Sequence, residues 1–166
     1  WKIIYTTGTT TGRPAPIYVA GHDHFAYQYL FKTRQELIGL KNTDRIANLF
    51  PMTAFPMGAY SRAPDEAAAV GASLIICNTG RSDSMFPVNR SVDEAVEAIA
   101  RHRATVLWGV ASFVRRILLR AKELNADFTS VRMVMTTGEA AYPAMREDLR
   151  QRMRDLNAAD TIIVNR

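Results

Sequence analysis

The sequence predicts an α/β domain, with a mostly parallel sheet covered by helices on both faces. Short apolar runs recur along the chain, and stretches with helical periodicity separate them. Several apolar runs end directly in loops rich in glycine, proline or hydroxyl groups, as strands of open α/β sheets do beside a ligand. We therefore expect one Rossmann-like unit over residues 1–166, with its ligand site at the carboxyl edge of the sheet.

Composition limits the classes of protein to which the chain can belong. The 166 residues, 48% hydrophobic and 22% charged, are typical of one folded domain, and no apolar run approaches the length of a membrane span. The single cysteine, Cys77, lies in an apolar run, so we expect a buried, inert thiol and a cytoplasmic protein. The chain opens at Trp1 beside a predicted strand, and we expect it to be an excerpt of a longer protein.

The net charge of +5 raises the question of nucleic-acid binding. The basic residues cluster on two predicted helices, each beside an apolar stripe and without interleaved stacking aromatics. Solvated helix faces therefore explain them better than nucleic acid does, and a surface for a partner in the remainder of the protein explains them equally well. These residues are Arg115, Arg116, Arg120 and Lys122 on the first helix, and Arg146, Arg150, Arg152 and Arg154 on the second.

In the first half of the chain, hydrophobic patterning predicts two extended segments, a helix and a strand. We expect a buried strand over 2–6, a short extended segment over 17–19, a helix over 23–37 and a strand over 45–50. Asp23 is the expected N-cap, and the expected apolar stripe carries Phe25, Ala26, Tyr29, Leu30 and Leu37. His22 and His24 have no third ligand at a suitable spacing, which disfavours a metal site.

The second half predicts a regular alternation of helices and strands. Pro64 is expected to start a helix that Gly71 ends, and strand 73–77 is expected to be covered on both faces. Ser91 and Glu94 form a capping box for the next helix. Further strands are expected over 105–108, 132–136 and 161–164, separated by a helix from 113 and a helix that Pro143 opens.

Residues 5–14 form the most distinctive stretch, a strand that runs into a loop of threonines and glycines. Gly8 and Gly12 allow positive φ, so that backbone amides and hydroxyls can turn toward an anion, and Arg13 adds positive charge. The spacing fits neither the P-loop nor the dinucleotide fingerprint. From composition alone, a phosphate loop and a threonine-rich turn both remain open.

Residues 6–14 resemble the phosphate loop of the adenylate-forming superfamily, which includes acyl-CoA synthetases and luciferases, and in particular its phenylacetate-CoA ligase-like branch. The chain has one extra threonine, and Arg13 replaces the usual lysine. The resemblance implies a loop that holds the β- and γ-phosphates of ATP. The residues implied are Thr6, Thr7, Gly8, Thr9, Thr10, Thr11, Gly12 and Arg13.

Three later segments extend the resemblance. Residues 48–52 are similar to the family's Asn-x-Phe-Pro-Met segment, which implies an acid pocket with Phe55, Met57 and Tyr60, although these side chains could instead pack against the sheet. Residues 109–112 are similar to a loop near the acyl pocket but lack its proline, which implies roles for Val110 and Ala111. The segment Thr137, Gly138, Glu139 and Ala140 resembles the adenine-binding segment, with Thr137 in place of a glycine and Ala140 in place of a proline.

The resemblance implies an N-terminal-domain fragment of a ligase that activates a carboxylic acid as acyl-AMP, with ATP, Mg²⁺ and coenzyme A. The family's ribose-binding aspartate, its magnesium glutamate and the lysine of its mobile C-terminal domain are absent from these 166 residues. We therefore assign no catalytic residue or metal ligand and expect residues 1–166 alone to be inactive.

The expected partners are a small acid, a nucleotide and the remainder of the chain, without nucleic acid or membrane; a homodimer is compatible with the sequence. Two alternatives stay open. One is a non-catalytic nucleotide- or carrier-binding module that retains the fold, and the other is an unrelated phosphotransfer domain, against which the absence of a P-loop lysine argues. The sequence fixes neither the acid nor the acceptor, coenzyme A or a carrier protein.

Overall fold

The computed structural model describes residues 2–6, 8, 10–51, 58–80 and 89–166. Strands and helices alternate along most of the chain, as the sequence predicts. The strands are β1 (Lys2–Tyr5), β2 (Pro16–Val19), β3 (Arg45–Asn48), β4 (Ser73–Ile76), β5 (Val106–Gly109), β6 (Met133–Thr136) and β7 (Ile162–Asn165). The helices are α1 (Gly21–Leu37), α2 (Gly58–Val70), α3 (Val92–Arg101), α4 (Ala111–Glu123) and α5 (Pro143–Asp155).

Five strands form a fully parallel sheet in the order β4-β3-β5-β6-β7, which confirms the predicted fold class. The chain runs from β3 outward to β4 and then returns to the other side of β3 with β5. The strand order therefore reverses between β3 and β5. In open α/β sheets this switch point is where a crevice forms at the carboxyl ends of the strands.

Alternating side chains of the sheet enter two separate hydrophobic cores. On one face, Ala47, Leu107 and Val134 pack with residues of α3, α4 and α5. On the other face, residues such as Trp108 and Met135 pack with α2. Burial on both faces explains why the central strands are continuous apolar runs.

The first strand does not join the parallel sheet, contrary to the prediction of a buried strand there. β1 and β2 pair with each other as an antiparallel hairpin, and only Ile4 of β1 is buried. An ion pair between Lys2 and Asp65 links this hairpin to α2. The pattern of a short apolar run does not reveal its pairing partner, and here the partner lies just beyond the glycine loop.

Helix α1 differs from the prediction in its start and in its buried face. It begins at Gly21, and Asp23 lies inside the first turn, where its carboxylate accepts a hydrogen bond of 2.9 Å from the Ala20 amide. The expected apolar stripe is exposed, with Phe25 76% accessible, whereas Phe31 and Gln35 are buried. Because α1 packs mainly on α2 rather than on the sheet, a narrow face suffices to hold it.

Two predictions in the middle of the chain are also wrong. Helix α2 begins at Gly58, so Pro64 lies inside it and interrupts its hydrogen bonding instead of opening it. Strand β4 lies at the edge of the sheet, which leaves Ile76 48% exposed. Neither the position of a strand in the sheet nor the exact start of a helix can be read from local composition.

Other expectations are confirmed. Ser91 and Glu94 form a capping box at α3, and Pro143 opens α5. Cys77 is fully buried, and burial raises the pKa of its thiol to about 12. Apart from these expectations, the described part of the chain contains no helix that is long and apolar enough to cross a membrane.

Candidate functional site

A cavity of about 310 Å³ lies at the carboxyl end of the parallel sheet. It is bounded by the β1–β2 hairpin, by α1 and α2, and by the ends of β5, β6 and β7. The described residues that line it are Ile4, Tyr5, Ile17, Arg34, Arg62, Glu66, Trp108, Thr137 and Arg166.

The centre of the polar lining is Glu66, whose side chain is only about 1% exposed. Its Oε1 lies 2.6 Å from Nη2 of Arg34, and its Oε2 lies 2.7 Å from Nη1 of Arg166. Gln35 donates a further hydrogen bond to Oε2 through its Nε2. One buried carboxylate of α2 thus binds side chains from α1 and from the residue after β7.

Besides its ion pair with Glu66, Arg166 makes two further contacts that hold it over the end of the sheet. Its guanidinium carbon lies 4.3 Å from the centre of the Trp108 ring, in a cation–π contact, and its backbone amide donates to the Thr136 carbonyl at 3.0 Å. Burial lowers the pKa of this guanidinium, and the ion pair with Glu66 opposes that effect. Arg166 remains a charged group within the cavity wall.

The predicted phosphate loop joins β1 to β2 and begins beside the cavity. At its base, Thr6 and Ala15 are joined twice: the Thr6 amide donates to the Ala15 carbonyl, and the Ala15 amide donates to Thr6 Oγ1, both at 3.0 Å. Gly8 has φ +71°, and a Cβ there would lie 2.5 Å from the Arg13 carbonyl carbon. Only glycine therefore fits at this position without movement of the backbone.

Residues 10–13 of the loop are open to solvent. Gly12 has φ +70°, and Thr11 Oγ1 donates to the Arg13 carbonyl at 3.0 Å. Thr10, Thr11 and Arg13 are exposed, which leaves their polar groups accessible to a ligand. Thr7 and Thr9, also predicted to bind phosphate, lie outside the described residues.

The predicted adenine-binding segment, residues 137–140, follows β6 and is hydrogen-bonded to the end of β5 and the start of α4. The Thr137 amide donates to the Gly109 carbonyl at 3.1 Å, and Trp108 Nε1 lies 3.4 Å from Thr137 Oγ1. Glu139 accepts hydrogen bonds from the amide and, at 3.0 Å, the hydroxyl of Ser112 in the first turn of α4. Gly138 has φ +93°, and Ala140 is exposed.

The residues predicted for the acid pocket have different environments. Tyr60 is half-buried and packs against the core on the α2 side, and Val110 contacts Gly138, where a Cβ would lie 3.2 Å from Val110 Cγ1. Ala111, the first residue of α4, is fully buried. Phe55 and Met57 lie outside the described residues.

Four charged residues that line the cavity were not predicted from the sequence: Arg34, Arg62, Glu66 and Arg166. A signal was present for Glu66, because it lies on the same face of α2 as the buried Ala63 and Ala67. A charged side chain on a helix face that is otherwise apolar requires a buried partner. The partners themselves come from distant parts of the chain and could not be read from the sequence.

Among the described residues, no group of three or more His, Cys, Asp or Glu side chains could hold a metal ion. A comparison of the sequence with curated proteins found no significant match.

Solved structures of acid-CoA ligases and adenylation domains share the fold. A 2-hydroxyisobutyryl-CoA ligase in complex with 2-HIB-AMP and CoA has a TM-score of 0.75 at 15% identity, over 99% of this chain and 35% of that chain. A long-chain-fatty-acid-CoA ligase from Archaeoglobus fulgidus has a TM-score of 0.70 at 19% identity, over 98% of this chain and 30% of that chain.

A third structure is the Vibrio cholerae adenylation domain in complex with glycyl-adenosine-5'-phosphate, with a TM-score of 0.65 at 20% identity, over 98% of this chain and 27% of that chain. The chain thus spans about a third of the length of these proteins. The family model of AMP-binding enzymes matches residues 2–164, and the chain belongs to this family of adenylate-forming enzymes.

Proposed function

We propose that the chain forms the nucleotide-binding part of an enzyme that activates a carboxylic acid as its acyl-AMP and passes the acyl group to coenzyme A. The observation that carries this proposal is the position of the cavity. Its lining includes Tyr5, at the base of the threonine–glycine loop, and Thr137, at the start of the predicted adenine-binding segment. An acid in the cavity would therefore lie between the two segments that we assign to ATP.

The reaction makes modest chemical demands on the protein. The acid carboxylate is itself the nucleophile, so the protein has to align it with the α-phosphorus and balance the charge of the leaving pyrophosphate. Amides and hydroxyls of residues 6–12, together with Arg13, would donate to the phosphates. Residues 137–140 would hold adenine beside the end of β6.

Relatives of known structure support both half-reactions. The hydroxyisobutyryl-CoA ligase was solved with an acyl-AMP and CoA, and the Vibrio cholerae domain with an aminoacyl-adenylate. Mg²⁺ would accompany the ATP phosphates, but the described residues do not fit a metal site, so we assign it no ligand in this chain and no step.

The test is ATP–pyrophosphate exchange by the full-length protein with a panel of aliphatic and aryl acids, using a matched pair of glycine variants. Gly8→Ala places a Cβ against the Arg13 and Pro14 backbone, whereas Gly12→Ala meets nothing within 4 Å, although both glycines have positive φ. We expect exchange that depends on one class of acid, a loss of at least about tenfold in Gly8→Ala, and a smaller loss in Gly12→Ala.

No exchange with any acid, from protein shown to be folded, would contradict the proposal. That result would favour a non-catalytic nucleotide- or carrier-binding module with the same fold. The observation in favour of that second function is the departure of the chain from the family pattern, with Arg13 for lysine and Ala140 for proline.

A further inference from the structure

The cavity at the carboxyl end of the sheet has more positive than negative charge. Three arginines, Arg34, Arg62 and Arg166, face it together with a single carboxylate, Glu66. Within the described residues, the lining thus has a net charge of +2. An excess of this size in a concave, partly buried site attracts an anion.

The arginines also retain unused hydrogen-bonding capacity. Nε of Arg34 and Nε of Arg166 are buried and have no hydrogen-bond partner in the described part of the chain. The same holds for two acceptors beside them, Oε1 of Gln35 and Oε1 of Glu66. Buried donors of this kind are costly unless a ligand or water satisfies them. Arg62 is exposed at the cavity wall and has no ion pair with any described residue.

The other described residues of the lining are Tyr5 and Thr137, which carry hydroxyl groups, and three apolar residues. Ile4, Ile17 and Trp108 offer a surface for a hydrocarbon segment between the charged wall and the nucleotide segments. A volume of about 310 Å³ lies at the small end of the range for ligand pockets. The cavity therefore suits a short molecule with an apolar middle and an anionic end.

Resting on the proposed function, we propose that the acid substrate is a dicarboxylic acid. One carboxylate attacks the α-phosphorus of ATP and displaces pyrophosphate, and the other stays ionised in the arginine-lined cavity, with Arg62 as its main partner. The phosphates of ATP are assigned to the threonine–glycine loop and Arg13, which leaves the second carboxylate as the anion for the cavity. Arg62 is then a specificity-determining residue.

The experiment measures ATP–pyrophosphate exchange by the full-length protein with matched acids: succinate, glutarate and adipate against butanoate, pentanoate and hexanoate. We expect kcat/KM for at least one diacid to exceed that for its matched monoacid by about tenfold or more. Arg62→Ala should lower this preference by about 10- to 100-fold, the range for loss of a charge-assisted hydrogen bond. Arg62→Lys should retain part of it.

Arg116→Ala is the matched control, because Arg116 is an exposed arginine of α4 that does not line this cavity, and it should leave the preference as in the wild type. Equal exchange with diacids and monoacids, insensitive to Arg62→Ala, would overturn this inference and leave the proposed function standing. A rise in KM for ATP in Arg62→Ala with both kinds of acid would also overturn it, since the anion would then belong to the nucleotide. Absence of exchange with every acid would refute both proposals together.

Discussion

Two buried carboxylates lie at opposite ends of the parallel sheet, and their surroundings differ in charge. Asp44, which precedes β3, lies at the amino end and is about 2% exposed, and Glu66 lies beyond the carboxyl end and is about 1% exposed. Both contact arginines, and burial alone does not distinguish them. What distinguishes them is whether the positive charge of the surrounding arginines only balances the negative charge of the carboxylate or is larger than it.

Asp44 is fully satisfied. Its carboxylate accepts hydrogen bonds from Thr105 Oγ1 at 2.7 Å, from the Lys41 amide at 2.7 Å and from Nε of Arg132 at 2.8 Å, with a second contact from Nη2 of Arg132. Burial acts to raise the pKa of Asp44, but these hydrogen bonds outweigh it and hold the pKa below its usual value. One guanidinium balances one carboxylate, and the cluster joins the starts of β3, β5 and β6.

Glu66, in contrast, is outnumbered by arginines, and its cluster borders a cavity instead of packed side chains. An enclosed ion pair whose charges balance has no charged group left to bind a ligand. A cluster with more arginines than carboxylates still has positive charge to bind an anion. The difference supports a structural role for Asp44 at the amino end of the sheet and the binding role that we propose for the carboxyl end.

The largest effect on folding is expected for Asp44→Asn. The substitution leaves the partly buried Arg132 without its counter-charge and should lower the free energy of unfolding by about 3 kcal/mol, measured by urea denaturation. The wild-type advantage should be present above the ordinary carboxyl pKa and decline as pH falls through the lowered pKa of Asp44.

Exchange activity per folded molecule should be retained in Asp44→Asn, and Arg132→Ala added to it should cost little more. If Asp44→Asn is as stable as the wild type, or if the folded variant loses exchange activity, then the amino end of the sheet does not differ from the carboxyl end in the way proposed.

A smaller effect on folding is expected for Glu66→Gln. Arg34 is 43% exposed, and Arg166, although only 16% exposed, lines the cavity, so water can reach both when the carboxylate is lost. Glutamine also keeps an acceptor for Gln35, and we expect a loss of about 1–2 kcal/mol in the free energy of unfolding. The variant raises the positive charge of the cavity. An added diacid should therefore stabilise it against urea more than it stabilises the wild type.

If Glu66→Gln is as unstable as Asp44→Asn, and if an added diacid does not stabilise it against urea, then both carboxylates have only a structural role.

The smallest effect, no reaction of the folded protein with a thiol reagent, is expected for Cys77. This residue is buried near the same end of the sheet but outside the cavity. Because burial raises the pKa of its thiol to about 12, the folded protein should fail to react with a thiol-specific reagent at pH 8 and should react once unfolded in urea. Rapid reaction of the folded protein would show that this end of the sheet is more open than the cavity alone implies.

The sequence was sufficient for the features set by local patterning. The central strands are predicted because two-sided burial requires continuous apolar runs, and the Ser91 cap because its partner Glu94 lies three residues away. The hairpin of β1 and β2 and the exposed face of α1 were missed, because pairing and burial depend on neighbours that local patterning does not specify.

The arginine-lined cavity was missed for the same reason. Arg34, Glu66 and Arg166 come from α1, α2 and the end of β7, and only the fold brings them within contact distance. The threonine–glycine loop could be found in the sequence because its residues are contiguous. Its position beside Thr137 could not.

The most direct test of this account is a structure of the full-length protein with a hydrolysis-resistant acyl-adenylate made from a diacid. We expect adenine beside residues 137–140 and the free carboxylate within hydrogen-bond distance of Arg62, with Asp44 still enclosed by Arg132 and Thr105. An acyl group bound away from the cavity, with Arg62 directed to solvent, would contradict it.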